Sequence, residues 1–136
     1  MIVISCVDDN LGTMFNQRRQ SRDRILIEHI LKIASENRIW INSYSKELFK
    51  EAENVIVDED FLSKAEDDDY CFVENVDLSG YEHKIHEIIL YSWNRTYPSD
   101  KKININLDKW RIIAEENLEG SSHEKITQKI YIRRNK

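Results

Sequence analysis

Apolar and polar positions along the chain change period several times, and each change marks an element. Residues 2–7 form an unbroken apolar run, with Ile2, Val3, Ile4 and Val7 around Ser5 and Cys6, closed by Asp8, Asp9 and Asn10. A continuous rather than alternating run predicts a short strand covered on both faces, as in a parallel sheet. Residues 8–20, with Asn10, Gly12 and Asn16 around Met14 and Phe15, read as a loop. Ser21 is an N-cap type, and Asp23 in the first turn complements the helix dipole. Leu26, Ile27, Ile30, Leu31, Ile33 and Ala34 then recur at helical spacing, which predicts an amphipathic helix over 22–36 that stops at Asn37.

Residues 38–42 read as a second strand, and Ser43 or Ser45 would cap a helix through residue 52. Residues 54–57 are a third strand ending at Asp58, residues 61–65 a short helix capped by Asp58, and residues 70–73 a fourth strand ending at Glu74. Strands alternating with helices argue for parallel β-α units. The C-terminal half leaves alternatives. Residues 85–93 fit a helix through Tyr81, Ile85, Ile88, Ile89 and Ser92, or a strand through the β-rich 88–91. Pro98, Ser99 and Asp100 mark a turn. Trp110, Ile112 and Ala114 alternate, as do Ile126, Ile130 and Ile132, which suggests antiparallel strands closing the sheet. Ser121 and Glu124 match a capping box, so a helical turn is expected there. The expected fold class is α/β: a single domain over residues 1–136, with N-terminal parallel β-α units and antiparallel C-terminal strands.

Composition narrows this further. The 136 residues, 40% of them hydrophobic, suffice for one core and exclude a disordered chain, while three Gly and one Pro exclude Pro/Gly-rich low-complexity structure. No apolar run approaches the ~20 residues of a membrane span, and the N-terminal run lacks the basic start of a secretory signal. No membrane partner is expected. Cys6 and Cys71 sit in separate apolar runs and read as buried free thiols of a cytoplasmic protein. The net charge of −5 hides a polarity: residues 51–77 hold eleven acids against Lys64, and the remainder carries a net +5. A basic remainder attracts anions whatever the total charge.

Two constellations point to chemistry. If the strands are parallel, Asp8, Asp9, Asp58 and Glu74 lie at their carboxyl ends, where open α/β sheets bind ligands. Asp8, Asp58 and Asp60 would then supply oxygen ligands for Mg²⁺, and a metal-bound water would attack a phosphate ester, with Asp8, Asp9, Asp58 and Glu74 as the catalytic acids. The competing reading is that such acids cap the helices that follow. The second constellation is basic: four arginines fall within residues 18–24. Arg18, Arg19 and Arg22, with Asn16, would hold a phosphate at a helix N-terminus, or else neutralise the acidic segment. His83 and His86 lack a third ligand in sequence, and residues 93–97 (Trp93, Asn94, Arg95, Thr96, Tyr97) read as core with a stacked arginine more readily than as a base-stacking platform.

The stretches 7–24, 57–62, 70–75 and 119–126 resemble a family of small Firmicutes proteins, some of which carry the label ribonuclease Z. The His-x-His-x-Asp-His zinc motif of that enzyme is absent, the four His standing at 29, 83, 86 and 123. The resemblance therefore implies a bacterial cytoplasmic protein and neither that fold nor that zinc site. The function expected from the residues is a small module that binds a phosphorylated ligand or nucleic acid through the arginine loop, with Mg²⁺-dependent phosphate-ester hydrolysis as its chemistry. The alternative is a non-catalytic module whose acidic segment 58–69 docks on a basic protein partner, as an inhibitor from a mobile element or a nucleic-acid mimic.

Overall fold

The apolar run at the N-terminus becomes β1 (Ile2–Val7), an inner strand of the main sheet. In the computed structural model, which describes residues 1–50 and 52–134, β1 is followed by a hairpin of β2 (Gly12–Phe15) and β3 (Arg18–Arg19) and then by helix α1 (Arg24–Ile33). Next come β4 (Ile39–Ile41), a 3₁₀ helix over Ser43–Phe49, β5 (Val55–Val57), the short helix α2 (Phe61–Lys64) and β6 (Tyr70–Phe72). The last elements are β7 (Glu87–Ser92), β8 (Lys101–Lys102), β9 (Trp110–Leu118) and β10 (Ile126–Arg133). Among the described residues the main sheet has seven strands in the order β5-β4-β6-β1-β7-β10-β9. β5, β4, β6, β1 and β7 are parallel, and β10 and β9 close the sheet antiparallel. The α/β class with parallel N-terminal units and antiparallel C-terminal strands is what the sequence pattern called for.

The continuous apolar run follows from burial on both faces. Ile2 and Ile4 of β1 join Leu26 and Ile30 of α1, Ile41, Phe72 and Tyr91 in one core layer. Val3 and Val7 turn to the other face and meet Phe61, Leu62, Cys71, Leu78 and Ile85. The open question at 85–93 is settled the same way. Ile88 and Leu90 face the second layer while Ile89 and Tyr91 face the first, because β7 lies between β1 and β10.

Four local expectations are corrected. Helix α1 is shorter than 22–36, and its N-cap is Asp23, whose carboxylate accepts from the Ile25 and Leu26 N–H groups; the C-cap is Ala34, not Asn37. The helix expected from Ser43 or Ser45 through residue 52 is the 3₁₀ helix Ser43–Phe49, capped by the Asn42 side chain, and Glu51 lies outside the described residues. The loop 8–20 contains a hairpin, which turns through Asn16 and Gln17 at φ of 50 and 62°; two successive left-handed residues match the twist of a two-residue hairpin loop. No helical turn forms at Ser121, whose N–H is drawn instead to Asp23. Among the described residues no helix is long and apolar enough to cross a membrane.

Candidate functional site

Parallel strands bring Asp8, Asp58 and Glu74 to one edge of the sheet, as expected, but they do not gather into one site. Neighbouring strands are about 4.8 Å apart, so Asp58 after β5 and Asp8 after β1, three spacings away, stand roughly 14 Å apart along the edge. Each carboxylate also has its own partners. Asp8 is buried, and its Oδ1 accepts from the N–H groups of Asn10 and Gly12 at 2.9 and 2.8 Å. Its Oδ2 takes the Tyr97 N–H and the Gln20 amide at 3.1 and 3.2 Å. Burial pushes this carboxyl up, but the four donors outweigh burial and hold it below the ordinary carboxylate range. Asp9 is exposed and accepts from the Thr96 hydroxyl. Asp58 accepts from the Asp60 N–H and pairs with Lys64, and Asp60 accepts from the Ser63 hydroxyl. The expected Asp58 cap of the short helix is not formed: Asp60 holds the N-cap position, without a side-chain cap bond.

The arginines diverge. Arg18 is exposed beside a groove lined by Phe15 and Tyr97, and Arg22 is exposed on another groove behind α1. Arg19 turns inward. Its guanidinium grips Glu74 with two hydrogen bonds, Nε to Oε2 at 2.8 Å and Nη2 to Oε1 at 3.1 Å. It also pairs with Glu47, donates to the Tyr44 carbonyl at 3.2 Å and lies over the Tyr44 ring at 4.6 Å. Glu74 further accepts from the Ser45 hydroxyl at 2.7 Å. Asn16 occupies the hairpin turn, where its N–H donates to Asp100. The acidic segment is likewise used internally: buried Asp69 accepts from Arg38 and from the Trp40 indole.

The sequence also allows a site around Trp93–Tyr97 and Ser121–His123, and the structure does bring these stretches together, but around Asp23, which sequence reasoning placed only in the first turn of the helix. This carboxylate, with no side-chain exposure, accepts from the N–H groups of Ile25, Leu26, Ser121 and Ser122, the Ser121 hydroxyl and His123 Nδ1. Burial alone would raise its pKa, but the Ser121 and Ser122 N–H groups, His123 and Leu26 drive it far below the ordinary carboxylate value. Nε2 of His123 is shared by the Ser21 and Tyr97 hydroxyls at 3.0 and 3.3 Å, and Trp93 stacks on its ring at 4.5 Å. Ser21, His123 and Asp23 thus form a clasp joining the β2–β3 hairpin, α1 and the β9–β10 loop. No signal in the sequence ties Asp23 to Ser121 and His123, because they stand about a hundred residues apart.

A groove of about 480 Å³ with an apolar floor runs between α1 and the 3₁₀ helix. Ile27, Leu31 and Leu48 form its floor, and Arg22, Lys50 and Glu47 stand on its rim. The amphipathic face of α1 explains the floor. Leu26 and Ile30 are spent on the sheet, and Ile27 and Leu31, one position on, are left half-covered at the side.

No family model and no curated protein matches the chain. Among solved structures it is similar to dihydrofolate reductase from Enterococcus faecalis complexed with NADP(H) and RAB-propyl, with a TM-score of 0.68 at 11% identity, covering 99% of this chain and 97% of that one. The fold is that of dihydrofolate reductase. This end-to-end similarity overturns both expected functions, the phosphate- or nucleic-acid-binding hydrolase and the acidic docking module. The local geometry agrees, since Arg19, Glu74, Asp58 and Asp69 are committed to one another and to their own loops. Mg²⁺ on Asp8, Asp58 and Asp60 is overturned too. The fold neighbour is complexed with NADP(H), and no group of three metal-ligating side chains comes together among the described residues.

Proposed function

We propose that the protein binds a small, flat organic molecule with an anionic end, of the folate class, in the groove between α1 and the 3₁₀ helix Ser43–Phe49. The groove itself carries the reading. An apolar floor of Ile27, Leu31 and Leu48 suits the faces of a ring system, and Arg22 and Lys50 on the rim suit a carboxylate at its end. The fold supports the same assignment, because the dihydrofolate reductase to which the chain is similar is matched over nearly its whole length. The test is thermal melting of the full chain with dihydrofolate. A ligand that binds only the folded state raises the melting temperature with concentration. Dihydrofolate is expected to raise it, and Leu31→Arg, which places a charge on the floor, is expected to abolish the rise. A melting temperature indifferent to dihydrofolate, or a rise that Leu31→Arg leaves intact, would overturn the proposal.

A further inference from the structure

The NADP(H) in the fold neighbour raises the question of where a dinucleotide would sit in this chain. In an open α/β sheet the crevice lies where consecutive connections leave toward opposite faces. Here that point is between β1 and β6. The chain after β1 goes to the face where α1 packs on Ile4, whereas the chain after β6 goes to the face where Leu78 and Ile85 pack on Val3. A diphosphate held there needs free N–H groups, a close backbone approach and no opposing negative charge.

The close backbone approach and the absence of opposing negative charge both fail. The turn after β6 reads Glu74, Asn75, Val76, Asp77, with no glycine, and the Glu74 side chain, 8% exposed, puts a carboxylate in the crevice. The first donors of the 3₁₀ helix are already taken, the Ser43 N–H by Glu59 and the Ser45 N–H by Asn42. Gly12, the first residue of β2, offers no open cradle: a Cβ built there would lie 2.5 Å from Ser99 Oγ and 2.7 Å from Gln20 Nε2. Arg19, the cation beside Glu74, is held by two hydrogen bonds to Glu74, by Glu47 and by the Tyr44 carbonyl, while its own N–H donates to the Tyr44 hydroxyl at 2.7 Å. The residues present do not fit a dinucleotide.

We infer that the crevice between β1 and β6 is filled by the chain's own β3 arginine, so that the protein has no dinucleotide site and binds its ligand without reducing it. The ligand half of this statement rests on the groove reading above; the dinucleotide half rests on Arg19 and Glu74 alone. In the wild type an incoming diphosphate meets the Glu74 and Glu47 carboxylates and a guanidinium already neutralised by them. Removing the Glu74 charge while keeping its shape would leave Arg19 in place and free to pair with an anion.

The test titrates NADPH and NADH against the full chain, read by calorimetry and by nicotinamide fluorescence, with and without dihydrofolate. The wild type is expected to show no saturable binding up to millimolar dinucleotide in either condition. Glu74→Gln is expected to bind NADPH with a dissociation constant about tenfold or more below that limit. Saturable micromolar binding by the wild type would overturn the inference, and so would a Glu74→Gln protein that binds no better than wild type. Should Glu74→Gln not fold, the wild-type titration decides alone: absence of saturable binding supports the inference and micromolar binding overturns it. Failure of dihydrofolate to shift the melting temperature strikes only the groove reading and leaves the dinucleotide result standing.

Discussion

Among single residues Asp23 bears the most. It caps α1, fixes the β9–β10 loop through Ser121 and Ser122 and orients His123, all through one buried carboxylate. An amide in its place keeps one oxygen to accept and turns an NH₂ toward donors, leaving buried N–H groups unpaired at about 1–3 kcal/mol each. Asp23→Asn is therefore expected to lower stability by at least about 2 kcal/mol, read as a lower urea midpoint with an unchanged slope. An unchanged midpoint would mean that the clasp contributes nothing. Cys71 illustrates the opposite case: buried against Met1, its thiol is pushed up to about 12 by desolvation and stays unreactive at neutral pH.

Among the elements, the edge strand β9 is the exposed one. Residues 111–117 are solvent-facing, and Ile112 and Ile113 are each 47% exposed. The strand pairs with β10 in a register that passes from Ala114↔Ile130 to Ile112↔Tyr131, so Ile113 is an unmatched bulge. A bulge twists an edge away from a second strand and blunts its tendency to pair with another chain. Deleting Ile113 keeps the pairs on either side in register and straightens the edge. The deletion variant is expected to self-associate at concentrations where the wild type sediments as a smaller species; equal sedimentation of the two would assign the bulge no such role. The hairpin of β2 and β3 shows why some elements escape sequence reading. Its strands have four and two residues, with no alternation long enough to register, and its turn is set by the left-handed backbone of Asn16 and Gln17.

At the scale of the whole molecule, three carboxyls among the described residues (Asp8, Asp23 and Asp69) are buried, and donors hold each below its ordinary value against the burial that would raise it. The sign follows. A carboxyl whose folded pKa is depressed stabilises the fold above the unfolded value of 3.8 and loses that contribution as pH falls toward its folded value. Unfolding free energy by urea is expected to be level above about pH 5 and to drop steeply below about pH 4, with a shallower drop in Asp23→Asn. A wild-type curve level down to pH 3 would contradict the roles given to these groups. The parallel half of the sheet was legible because strands buried on both faces leave continuous apolar runs, as at 2–7 and 70–73. The acids at the strand ends were legible in place but not in purpose, since a carboxylate gathering loop N–H groups has the same sequence as one awaiting a metal. What decides between them is the partner: Gly12, Tyr97 and Gln20 for Asp8, Arg19 for Glu74.

The Asp23 clasp has a further consequence for how the chain comes off the ribosome. The carboxylate that begins α1 emerges early, yet Ser121, Ser122 and His123 emerge about a hundred residues later. Until then the Asp23 carboxylate has only the two capping N–H groups of the nascent helix as partners. The β2–β3 hairpin also lacks the Ser21–His123 tie through most of synthesis. The N-terminal third should therefore stay open to proteases in stalled nascent chains that end before residue 121, and become resistant once residues 121–123 have left the ribosome.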